Sequence, residues 1–311
     1  MTAAAGAGLR AAWDRLPANL RGALWVILSA FLLTVMGALV KALGREIHSF
    51  QIVFFRCLIG ALALFPFILR AGLGSLRTRR AGLHALRVVV GVGGMFCVFY
   101  AFAHMPLAEA VAIIFSRPLF AVALAVPLLG EVVGWRRALA AGIGFAGVLV
   151  MVRPGTAAFD PVSLVALTAA FTAGSVAIII KKLSATESTG AILMWFTVGG
   201  TAIALLPAIM VWTWPTPAQW LDLVLIGVIG VAGQAAMTRG FSTGETSFVT
   251  PFDYSRLLFA TLFGIILFAE VPDLWKAAGA LIVVGSGYYI VRRELARARA
   301  RRAVAGAAAP G

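Results

Sequence analysis

The sequence predicts an all-α polytopic membrane protein, with ten transmembrane helices arranged as two inverted five-helix repeats. Three observations predict it: the balance of apolar and charged residues, the spacing of long apolar runs, and a gapless internal match. Hydrophobic residues fill 61% of the 311 positions, charged residues only 12%, and the mean hydropathy is +0.98. A soluble domain carries about 25% charged residues, so half of the usual solvating charge is missing.

Crossing ~30 Å of hydrocarbon takes about 20 mainly apolar residues. Ten such runs occur, at roughly 22–40, 49–69, 83–103, 106–129, 134–152, 161–180, 189–211, 218–238, 246–268 and 274–291. The linkers between them are short and hold turn signals such as Arg153-Pro154-Gly155 and Trp214-Pro215-Thr216-Pro217. The first run continues to Val40 without the small-residue cleavage site of a signal peptide, so it reads as an uncleaved span. The expected organisation is an N-terminal tail (1–20), a first repeat (21–153), a second repeat (161–292) and a basic tail (293–311) that frays after Arg292.

Charge placement sets the expected orientation. Of 26 Lys and Arg, three lie inside runs (Arg56, Arg117 and Arg256) and four lie in alternate connections (Lys41, Arg45, Arg153 and Lys276). The other nineteen, Arg87 included, belong to the termini and the remaining connections. The positive-inside rule then puts both termini in the cytoplasm of a cell whose inner (plasma) membrane holds the protein. The net charge of +14 does not indicate a nucleic-acid partner, because that requires charge gathered on one folded face. Cys57 and Cys97 lie in apolar runs, and His48, His84 and His104 are scattered, so neither a disulfide framework nor a metal or other cofactor is implied.

Ala101 through Glu131 aligns with Gly240 through Glu270 at a constant offset of 139, so that Phe115-Ser116-Arg117 falls on Tyr254-Ser255-Arg256 and Glu131 on Glu270. Upstream, Ala30-Phe31 and Lys41 match Ala170-Phe171 and Lys181 at an offset of 140. Five spans per copy is an odd number, which forces opposite orientations. Inverted repeats are a mark of secondary transporters, whose substrate sites lie near the bilayer midplane.

The motifs Pro106-Leu107-Ala108-Glu109-Ala110, Pro118-Leu119-Phe120, Leu129-Gly130-Glu131, Gly147-Val148 and Arg153-Pro154-Gly155, with the second-copy Phe268-Ala269-Glu270 and Gly285-Ser286-Gly287, resemble the EamA-type drug/metabolite transporter superfamily. The resemblance spans about residues 20 to 293. It implies a ten-helix carrier with a central cavity lined from both repeats, and the finer pattern is similar to the branch that includes riboflavin and S-adenosylmethionine uptake carriers.

The residues themselves suggest where such a cavity lies. Arg117 and Arg256 sit near the middle of their spans, where a cation costs about 2.5–3.5 kcal/mol and normally faces water or a partner. They read either as a pair of cationic groups, one from each half, facing an anionic or electron-rich part of a solute, or as groups that cap freed backbone carbonyls or pair with an acid to lock helices. Asp253, three residues before Arg256, reads as its intrahelical ion-pair partner or as a protonatable coupling site; its first-half equivalent is Ile114. Phe120 and Phe252 share those helix faces, and each either packs on a ring or fills a helix contact. Arg56 is a third deep cation, and Trp195, deeper than the interfacial Trp25, Trp135, Trp212, Trp214, Trp220 and Trp275, either stacks on a planar solute or packs.

Pro118 and Pro251 each remove a helical hydrogen bond beside the arginines, so breaks or kinks are expected there. Glu131 and Glu270 are expected to cap the N-termini of the helices that follow them. Gly142-Ile143-Gly144-Phe145-Ala146-Gly147 matches a dinucleotide fingerprint, but it lacks the preceding strand that motif needs. Helix packing explains it, as it does Gly227, Gly230 and Gly233.

The expected function is therefore secondary transport of a small organic solute, with proton or ion coupling open and oligomeric state unassigned. A non-transporting scaffold or sensor, and a membrane-embedded transferase, are the competing readings; no nucleophile or acid–base cluster marks the latter.

Overall fold

In lipid every backbone N–H and C=O must find a partner within the protein, and an apolar run satisfies that requirement alone only as a helix. The computed structural model describes residues 16–71, 78–129, 135–183, 185–187, 189–244 and 246–307, and those residues contain helices and no strand. The first half holds α1 (Ala18–Leu43), α2 (Ser49–Ala71), α3 (Ala81–His104), α4 (Leu107–Ile114), α5 (Arg117–Leu129) and α6 (Trp135–Val152). The second holds α7 (Val162–Leu183), α8 (Thr189–Met210), α9 (Pro217–Thr243), α10 (Thr246–Asp253), α11 (Ser255–Phe268) and α12 (Leu274–Ala307). The ten spans are thus eight continuous helices and two broken ones, α4–α5 and α10–α11.

Local chemistry fixes several ends. The proline-rich turn before α9 is a capping box: the Thr216 side chain accepts from the Gln219 N–H, the Gln219 side chain accepts from the Thr216 N–H, and Pro217 occupies the first turn. α12 continues past Arg292 to Ala307, so helix extends into the segment where the sequence suggests fraying. Alanine and arginine are among the strongest helix formers.

The two halves interlock. α1 packs along α9, α3 along α7, α2 along α8, and α6 along α12. In the repeat register α1 corresponds to α7 and α3 to α9, so the first two contacts are one contact made twice. Close approach depends on missing side chains. A Cβ on Gly227, Gly230 or Gly233 of α9 would come within 2.5 Å of Ile59, 3.0 Å of Met36 and 2.8 Å of Leu33. On α6, Gly144 lies against Ser286 and Gly147 against Ile282 of α12, so the fingerprint-like segment is a packing seam.

Burial is inverted relative to a soluble protein. Leu206, Leu258 and Leu281 are about 70% exposed or more on the outer surface, where lipid tails are their solvent. Cations and carboxylates such as Arg56, Arg87 and Asp253 are buried in the bundle.

Candidate functional site

The break in each broken span falls at equivalent positions of the repeat. α4 ends at Ile114, Phe115 and Ser116 form a turn, and α5 starts at Arg117. In the second half α10 ends at Asp253, Tyr254 forms the turn, and α11 starts at Ser255. Pro118 accounts for the first break, since it has no N–H for the Ile114 carbonyl and fits the opening turn of α5. Pro251 lies inside α10, so the second break follows the repeat rather than the proline. The equivalent turn residues Phe115 and Tyr254 touch, with ring centroids 5.1 Å apart. The pseudo-twofold axis therefore passes between them.

This break redirects Asp253. Its carboxylate Oδ2 accepts a hydrogen bond from Arg117 Nη2 at 3.0 Å, across the two halves. An intrahelical pair with Arg256 presumes an unbroken helix between residues 253 and 256, and the turn at Tyr254 removes it. Arg256 still feels the Asp253 charge, but its Nε has no protein hydrogen-bond partner. Asp253 Oδ1 is likewise unpartnered.

Beside the breaks lies a cavity of about 420 Å³, lined from both halves and within the ~300–1,000 Å³ range of small-molecule sites. Four arginines reach it: Arg56 from α2, Arg87 from α3, Arg117 from α5 and Arg256 from α11. Arg56 and Arg87 are buried side chains, and Arg87 lies over the Phe196 ring at 4.2 Å, a cation–π contact. A smaller crevice touches both Arg117 and Arg256 beside Phe115.

Arg56, Arg117 and Arg256 therefore meet at one cavity, with Asp253 attached through Arg117. Arg87 was missed, because a basic residue near the start of an apolar run reads as part of the connection. Its position in α3 corrects the count of charge in the connecting segments. Phe120, Phe252 and Trp195 are not among the lining residues. Phe120 packs edge-on to Phe171 and Phe252 against Phe248. Trp195 lies 5.5 Å from the His84 ring and is 38% exposed, while its neighbour Phe196 faces the cavity. One residue turns a helix by about 100°, so adjacent aromatics face different ways.

The two ends of the molecule are held differently. At one end, among the described residues, three ion pairs cross between the halves: Lys41 to Glu270 at 2.7 Å, Lys276 to Glu109 at 2.7 Å, and Arg153 to Asp273. Lys41 also donates to the Met105 carbonyl, and Glu270 accepts from the Leu107 N–H at 2.9 Å. Glu270 thus caps α4 of the other half rather than the helix that follows it. The left-handed residue Ala269 turns the chain to allow this. Its expected counterpart Glu131 lies outside the described residues.

The Asp273 carboxyl is held below the usual carboxylate range, first by the Lys276 backbone N–H and then by Arg153. At the other end Glu187 accepts from Thr78 at 2.7 Å and approaches His84 Nε2 at 3.9 Å, and Arg80 donates to the Lys182 carbonyl.

Sequence comparison adds a family to this geometry. The pattern of the EamA-like transporter family matches residues 20–153 and 161–292. An S-adenosylmethionine uptake transporter of Rickettsia prowazekii is 31% identical over 284 residues, covering 90% of this chain and 96% of that protein. A riboflavin transporter of Vibrio cholerae is 30% identical, covering 92% and 98%. A pseudopaline exporter, CntI, of Pseudomonas aeruginosa is 31% identical, covering 85% and 93%. A solved crystal structure superposes with a TM-score of 0.58 at 22% identity, covering 92% of this chain and 98% of the other, which supports the fold.

Proposed function

This chain belongs to the EamA-like transporter family, and we propose that it is a secondary active transporter moving a small organic metabolite by alternating access. The observation that carries the proposal is the arginine-lined cavity at the two symmetry-related helix breaks, lined from both halves. Broken helices near the midplane are where carriers of inverted-repeat design hold their solutes. The two ends support the cycle. Three ion pairs join the halves at the Arg153 end, and in this reading rocking one half against the other exchanges them for contacts at the Glu187 end.

Both termini are assigned to the cytoplasm of the cell inner membrane, on the excess of Lys and Arg at that side. The Arg153 end then faces outward. Asp253 is the candidate coupling group. A solute that engages Arg117 competes with this carboxylate, whose Oδ1 has no protein partner. Relatives named for S-adenosylmethionine, riboflavin and pseudopaline support an organic solute as cargo, and at about 30% identity they do not choose one.

The test is solute flux in proteoliposomes across a panel of vitamins, nucleosides, amino acids and organic acids, with and without a pH gradient. Saturable flux of at least one solute, accelerated by the gradient, is the expected result. Absence of both flux and solute-dependent thermal stabilisation across the panel would instead fit a scaffold or sensor.

A further inference from the structure

The first half brings three arginines to one cavity and the second half one, and the charges do not balance. Among the described residues four guanidinium groups line it and no carboxylate does. Asp253, bound to Arg117, compensates one of the four. The remainder fall into like-charged neighbours: Arg56 and Arg87 feel each other's charge, as do Arg117 and Arg256. Such an arrangement is unfavourable in a low-dielectric interior unless an anion joins it.

Geometry indicates the same. Arg87 is 6% exposed, lines the cavity, and leaves Nε and Nη1 without protein partners. Arg256 leaves its Nε unpartnered as well. Guanidinium groups donate in a planar fork suited to carboxylate and phosphate oxygens. The half-helices α5 and α11, of 13 and 14 residues, both begin at this level, and helix N-termini favour negative charge.

Resting on the transporter reading above, we propose that the cargo is a small organic solute with at least two anionic groups, one held near Arg56 and Arg87 and the other near Arg117 and Arg256. The aliphatic and aromatic remainder of the lining, Phe196 and Val98 among it, takes up the carbon skeleton between the charged ends. Engagement of the second group by Arg117 is also the event that frees Asp253, so solute charge and coupling meet at one residue.

The experiment uses the full-length protein in detergent and in proteoliposomes. The probes are succinate and citrate as carboxylates, glycerol 3-phosphate and inorganic phosphate as phosphates, and riboflavin and S-adenosylmethionine as uncharged and sulfonium-bearing comparators. At least one dianion is expected to raise the melting temperature by several degrees and to show saturable flux, and the carboxylate and phosphate arms separate the two chemistries. Arg87→Gln should weaken that anion's apparent affinity at least tenfold, with Arg87→Lys intermediate. The solute-free Arg87→Gln protein should melt close to the parent, because removal of a buried charge with no carboxylate partner among the described residues offsets the lost contact with Phe196, and this separates loss of binding from loss of fold. Flux of riboflavin or S-adenosylmethionine that no anion competes with would overturn the anion assignment and leave the transporter reading standing. No flux for any probe, with no anion-dependent stabilisation, would overturn both.

Discussion

The two broken spans share a backbone design and differ in charge. Each breaks at the same repeat position, each restarts within a residue of its arginine, and their turn residues Phe115 and Tyr254 meet. At the residue before the turn, the first half has Ile114 and the second has Asp253. The acid does not serve its own half; it reaches across to Arg117. Symmetry therefore supplies the cavity and the paired cations, and one departure from symmetry distinguishes the arginines: Arg117 is ion-paired and Arg256 is left with an unpartnered Nε.

Removing a cation gives the largest expected effect on this comparison. Arg117→Gln should lower solute flux about a hundredfold and also destabilise the protein, since it strips a mostly buried Asp253 of its partner. Breaking a buried pair costs about 3–5 kcal/mol, and the 41% exposure of the Arg117 side chain places the loss toward or below the low end of that range. Arg256→Gln should lower flux comparably with little loss of melting temperature. Flux measured beside thermal unfolding checks both, and equal destabilisation by the two changes would contradict the assigned pairing.

A smaller effect is expected from Asp253→Asn, which makes the second half resemble the first in charge. The Arg117 side chain keeps access to the cavity, so stability should fall by about 1 kcal/mol or less. Flux should persist at a reduced rate and lose its dependence on the pH gradient. Gradient-driven flux at the parental level in Asp253→Asn would remove this carboxylate from coupling.

The weakest expected effect lies at the Arg153 end. The folded protein holds the Asp273 carboxyl below its ordinary value. A lowered carboxylate contributes stability that is complete above the unfolded value of ~3.9 and is lost as pH falls through the lower folded value. Melting temperatures of the parent and Asp273→Asn should therefore differ by a small constant amount from pH 8 to about pH 5 and converge only below about pH 4. A difference that disappears between pH 7 and 5 would assign the pair's titration to another group.

These particulars show what was legible in the sequence. Hydropathy located the spans, and the constant offset of 139 revealed the inverted halves, because both depend on composition and register alone. The first break was signalled by Pro118, which removes a specific hydrogen bond. The partner of Asp253 was not legible: a spacing of three residues indicates a shared face only while the helix continues, and the turn at Tyr254 interrupts it. Arg87 was hidden by its place nearly two turns into α3, close enough to the helix start for a long basic side chain ordinarily to snorkel outward. Trp195 attracted attention by its chemistry, whereas the rotation of α8 presents Phe196 instead.

The central claim is that the halves must separate at the Arg153 end for the solute to pass. The most direct measurement is solute flux in an Arg153→Cys/Asp273→Cys protein, with Cys57 and Cys97 replaced by alanine, before and after a short bis-maleimide links the pair. The account predicts that the uncrosslinked protein transports and that linkage reduces flux to background, in proportion to the fraction linked. Flux that continues at the unlinked rate in fully crosslinked protein would contradict it.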